Sequence, residues 1–142
     1  RHSFPTRRSS DLVGVLLRQD QDWVVVHSEA DDLTLEGGVH TTPLAEFLHN
    51  TEFYYLRRLT VGQQQLNQFV AHLREHLARK TPFDTSLSLD DDGERVYCSE
   101  LIWLAAEKAG VSMAKPNDLL GKVYITIDDL FYSPLLKEIK PN

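Results

Sequence analysis

An α+β fold with a mainly antiparallel sheet is predicted by three features of the chain. Residues 13–17 and 23–29 are apolar, β-branched runs separated by the polar turn 20–22, which reads as a hairpin. Residues 62–80 carry apolar side chains at helical spacing over about five turns. Strand-like and helix-like runs are mixed along the chain without the regular βαβ alternation of a parallel sheet.

Each element has its own signal. Residues 13–17 (VGVLL) read as a buried strand already under way. In its partner, 23–29, alternation puts Val25, His27 and Glu29 on one face and Val24, Val26 and Ser28 on the other. Residues 30–38 read as a loop with a Gly-Gly turn, and 39–41 as a short strand. Thr42 as N-cap, Pro43 at the first position and Glu46 near the capping-box site predict a short helix over 43–49. Residues 52–59 alternate loosely and read as a third strand. In the helix 62–80, Leu66, Phe69, Val70, Leu73 and Leu77 fall on one face, and Thr81-Pro82 ends it. Residues 83–95 form a long loop, the kind that in compact domains is often functional. A second helix is expected over 98–109, ended by Gly110 at C′. Residues 115–120 read as a loop, 123–126 as a short strand, and Thr126 with Asp128-Asp129 opens a final turn. Trp103, Phe69 and Tyr124 suit the core.

The composition narrows the class. At 142 residues the chain suits one domain with a real core. Its formal net charge of −6 argues against a nucleic-acid surface. No apolar run approaches a membrane span, so no integral membrane segment is expected. A single cysteine forms no internal disulfide, which leaves the compartment, cell envelope or cytoplasm, unread.

That cysteine, Cys98, stands where the polar loop gives way to the helix 98–109. At a helix N-terminus a thiol meets free N–H groups and the positive end of the dipole, both of which favour the thiolate. A buried structural cysteine is the plain alternative.

The segment 83–92 (FDTSLSLDDD), followed by Tyr97-Cys98-Ser99-Glu100-Leu101, resembles the nucleophile region of the circularly permuted, NlpC-related papain-like amidases of the bacterial YiiX/YebB/YaeF type. The similarity continues in 42–48 (TPLAEFL) and 125–135 (ITIDDLFYSPL) and covers roughly residues 13–139. It implies a permuted NlpC/papain-like fold and a thiol hydrolase that cleaves an amide or ester bond through an acyl-enzyme on Cys98. Cell-wall peptides, amino-acid amides or lipid acyl groups are the substrate classes it suggests. A non-catalytic acyl- or peptide-binding module of the same fold is the alternative. No cofactor is implied.

In that family the general-base histidine precedes the Val-Gly pair that matches Val13-Gly14, so it would fall at position 12, where this chain has leucine. His27 aligns with the polar third group that orients the imidazole, with Glu29 as its substitute on the same face. Residues 1–12 resemble a translated sequencing-library adapter, in which the last two bases force Leu12 whatever follows. On this reading residues 13–142 are an N-terminally incomplete amidase domain, the native residue 12 is histidine, and the chain as written lacks its base. Without Arg1, Arg7, Arg8 and Asp11 the net charge moves from −6 to about −8.

Other groups carry weaker signals. Ser88, Asp90, Asp92 and Gly93 resemble the first half of an EF-hand loop. The first position is Ser and the twelfth is Ser99, so the stretch reads as a solvated acidic loop with no metal site. His40, His49, His72 and His76 lack metal-ligand spacing with a third partner, and His72 and His76 read as a solvated helix face. Glu100 is expected to cap its helix or anchor the preceding loop.

Overall fold

The computed structural model describes residues 12–30, 37–49 and 51–139. Apart from Leu12, the adapter-like stretch lies outside these residues, as does most of the expected loop at 30–38.

The hairpin forms as the alternation predicts. Strands β1 (Val15–Gln19), β2 (Asp22–Ala30) and β3 (Gly37–Pro43) make an antiparallel sheet in the order β1-β2-β3. Asp20 turns the first hairpin at φ +58°, a left-handed conformation that Asp tolerates. Val15 pairs with Val26, Val26 with Thr41 and His27 with His40.

One face of this sheet builds the core. Val26 and Val39 are buried against helix α2 (Gln63–Arg79) and helix α3 (Cys98–Lys108), with Val13, Val15 and Leu17 packed alongside. From α2 come Phe69 and Leu73. From α3 come Leu101, Ile102, Leu104, Ala105 and Ala106, and Ile125 and Leu130 close the cluster. Lys80 ends α2 in the left-handed region (φ +52°), and Gly110 does so just past α3 (φ +78°).

Four expectations need correction. The helix at 43–49 shrinks to one turn, α1 (Leu44–Phe47), because Thr42 is held in the ladder opposite Val25 and Pro43 ends the strand. Of the strand at 52–59 only β4 (Arg57–Leu59) pairs, with β7 (Leu136–Glu138), and residues 53–56 are exposed. His76 is not on a solvated face. It is buried, and its Nδ1 lies 2.8 Å from Thr81 Oγ1. The loop expected at 115–120 contributes β5 (Asn117–Leu119), which pairs with β6 (Lys122–Tyr124). Thr126 caps the last helix, α4 (Ile127–Phe131), through Asp129 N–H. Among the described residues no helix is long and apolar enough to cross a membrane.

Candidate active site

Cys98 is the first residue of α3, behind the extended N-cap Tyr97 (φ −94°, ψ 178°). Several bonds fix this corner. Val96 N–H donates to Pro82 O (2.9 Å) and Asp84 N–H to Val96 O (3.2 Å), so the loop that leads into the helix closes on its own start. Ser28 Oγ donates to Val96 O at 2.7 Å, which ties the segment to β2. Ile125 N–H donates to the Tyr97 hydroxyl (2.8 Å), and Ser99 Oγ donates to Ile125 O (2.9 Å). Glu100 Oε1 accepts from Tyr97 N–H (3.2 Å), the capping role expected of it.

Burial decides the state of the thiol. It pushes the Cys98 thiol above its ordinary value, and the N–H groups of Ser99 and Cys98 and the Ser99 hydroxyl offset only part of that. The helix N-terminus alone therefore does not yield a ready thiolate. The cost of desolvating the anion exceeds the gain from the amide dipoles.

His27 and Glu29 lie on the face of β2 away from the core, and Ser28 between them turns to Val96. His27 is 3 % exposed. Its Nε2 is 2.8 Å from Thr42 Oγ1, and its ring lies 4.4 Å from His40 and 5.0 Å, edge-on, from Phe47. Burial first, and His40 second, lower its pKa to about 4, so the imidazole is neutral at pH 7. Among the described residues His27 and Cys98 share no hydrogen bond.

Leu12 is half-buried just ahead of β1. A Cβ placed on Gly14 would lie 3.1 Å from His27 Cβ, so the chain runs closely past His27 at that point. The ladder with β2 ends at Val15 opposite Val26, and residues 12–14 lie ahead of it, outside the strand.

Two groups escaped the sequence. His40 joins His27 and Glu29: each offers a ligand atom within 4.8 Å of the others, a donor set that suits a transition metal, and His40 Nε2 is 3.8 Å from Glu29 Oε1. Only the register across β2 and β3 brings them together. The loop, expected to be solvated, buries Asp84 and Ser88 while Asp90 and Asp92 stay exposed.

Comparison with known proteins fits this frame. The family model described as permuted papain-like amidase enzyme, YaeF/YiiX, C92 family, matches residues 6–135. The crystal structure titled metalloprotein yiiX, from Escherichia coli O157:H7, superposes with a TM-score of 0.70 at 19 % identity, covering 91 % of this chain and 81 % of that one. No curated protein matches the sequence. A cysteine opening a buried helix, a loop sealed onto that helix and an antiparallel hairpin alongside are thus the parts of a circularly permuted papain-like fold, and the chain belongs to the permuted papain-like amidase family of the YaeF/YiiX type, a family of hydrolytic enzymes.

Proposed function

We propose that the chain is a thiol hydrolase domain in which Cys98 attacks the carbonyl of a small acyl or peptide substrate. The thiolate adds to the carbon, the leaving amine or alcohol departs with a proton, and water then releases the acid from the Cys98 acyl-enzyme. Cys98 N–H, in the first turn of α3 where amides have no acceptor within the helix, can turn to the carbonyl oxygen and polarise it. The observation that carries the reading is Cys98 at the first position of a helix whose approach is fixed on three sides, in a chain of an amidase family.

The base in this reading is an imidazole at position 12, absent from the chain as written. The raised thiol supports it, because such a thiol needs a partner to take its proton. Neutral His27 is the orienting group in this reading, and Glu29 is its substitute.

Leu12→His tests this directly. Hydrolysis of small acyl esters and amides by the restored protein is expected to exceed that of the present chain by roughly 100-fold or more, and to vanish in Cys98→Ala. His27→Ala in the restored protein lowers turnover by about tenfold or more beyond any loss of stability. Turnover that survives phenanthroline distinguishes the thiol route from one run by a transition metal on His27, Glu29 and His40. If Leu12→His gains nothing while its ligand binding persists, the fold serves as a binding module.

A further inference from the structure

Behind the nucleophile helix three carboxylates converge. Asp84, Asp91 and Glu100 each bring an oxygen within 4.8 Å of the others. Asp84 is 3 % exposed and Glu100 2 %. Each is aimed by donated bonds from neighbouring residues. Asp84 Oδ1 accepts from Ser86 N–H (2.9 Å) and Ser86 Oγ (2.6 Å), Asp91 Oδ1 from Gly93 N–H (3.2 Å), and Glu100 Oε1 from Tyr97 N–H (3.2 Å). The other oxygen of Asp84, Oδ2, is buried and has no hydrogen-bond partner.

Such an arrangement is costly as it stands. Three carboxyl groups crowd a water-poor site, where burial and the neighbouring aspartates push the Glu100 carboxyl up to about 8, and the orphaned buried oxygen of Asp84 forfeits its hydration. The neighbouring bases are engaged elsewhere: Lys108 lies 3.6 Å from Asp92, and Arg79 donates to Gly93 O. Among the described residues no ion pair reaches the three carboxylates.

We infer that Asp84, Asp91 and Glu100 form a site for one hard divalent cation, with calcium as the fitting ion. An all-oxygen, all-carboxylate donor set selects calcium or magnesium over zinc or copper. The three oxygens lie within 4.8 Å of one another, close enough to reach one ion, and ligands carried partly on a loop suit the adaptable six- to eight-oxygen shell of calcium better than the strict octahedron of magnesium. The bonds donated by Ser86, Gly93 and Tyr97 hold one oxygen of each carboxylate from behind and so fix the ligand's direction. This is not an EF-hand: Asp90 and Asp92, the loop's apparent ligands, are exposed, and the site instead spans the loop and the first turn of α3. A bound ion clamps residues 84–91 to Glu100, two positions from Cys98, and so positions the nucleophile. The inference does not depend on the hydrolase reading, and its test needs no substrate.

The whole chain, stripped with chelator at pH 7.5, is titrated with CaCl2 by calorimetry and followed by thermal unfolding, with MgCl2 in parallel. Saturable 1:1 calcium binding is expected, weaker for magnesium. The melting temperature should rise by roughly 5–10 °C at a hundredfold excess over Kd. Asp84→Asn and Glu100→Gln each lower calcium affinity by about tenfold or more, whereas Asp92→Asn, at the exposed neighbour, leaves it unchanged. No saturable binding by the folded wild-type chain overturns the inference and leaves a proton on the cluster as its neutralising group. Calcium binding that Asp84→Asn and Glu100→Gln both retain also overturns it. Because the wild-type titration decides by itself, a variant that fails to fold does not blunt the test.

Discussion

Cys98 and His27 are both governed by desolvation, in opposite directions. Burial raises the thiol and lowers the imidazole, since each resists its charged form. For Cys98 the consequence is chemical. Alkylation by iodoacetamide in the present chain should accelerate only above the ordinary thiol range, whereas Leu12→His should bring the midpoint down. A midpoint at or below about 8.5 in the unmodified chain would remove the need for a base at position 12. For His27 the consequence is stability. The unfolded chain takes up this proton near 6.5, the folded protein only near 4. The contribution is therefore complete above pH 6.5 and drains away as pH falls towards 4, by up to about 3 kcal/mol. His76, also lowered by burial, acts in the same direction. Urea unfolding at pH 7.0 and 4.5 should show this drop, and His27→Asn should reduce it.

At the level of elements, close approach of backbones sets the tolerances. A Cβ at Gly14 would meet Val25 Cγ1 at 2.4 Å, so Gly14→Ala should push β1 off β2 and cost about 1–3 kcal/mol. Gly110 has open space but a φ of +78°, and Gly110→Ala should cost only about 1 kcal/mol. Leu73, fully buried in α2, is the contrast: Leu73→Ala opens a cavity in the core and should cost about 2–5 kcal/mol. Chemical denaturation of the three variants checks the order. The long helices were legible because their periodicity and caps agree with their burial. The short strands β5 and β7 were not, and β4 was read too long, because three residues carry no period and such strands exist only through their partners.

Across the whole molecule the nucleophile segment is the junction. The Tyr97 hydroxyl and Ser99 join it to Ile125, and Val96 joins it to Ser28 and Pro82, so sheet, loop, helix and C-terminal segment meet within a few residues of Cys98. Tyr97→Phe removes the acceptor of a buried N–H and should cost about 1–3 kcal/mol. Its thermal shift should be accompanied by faster alkylation of Cys98 as the corner loosens. An unchanged alkylation rate would mean that the remaining ties hold the thiol by themselves.

The sequence by itself determined the α+β class, the hairpin, both long helices and the family, because these rest on local periodicity, caps and a short contiguous string around Cys98. It also singled out positions 12, 27 and 98, with Glu29 as the substitute, for the chemistry proposed here. Only the tertiary structure decided what surrounds them. Cross-strand register put His40 and Thr42 on His27, burial lifted the thiol, and closure of the loop onto α3 gathered Asp84, Asp91 and Glu100. Those relations join residues 7 to 16 positions apart. Local composition is blind to them, since they exist only once the chain has paid the entropy of bringing distant segments together.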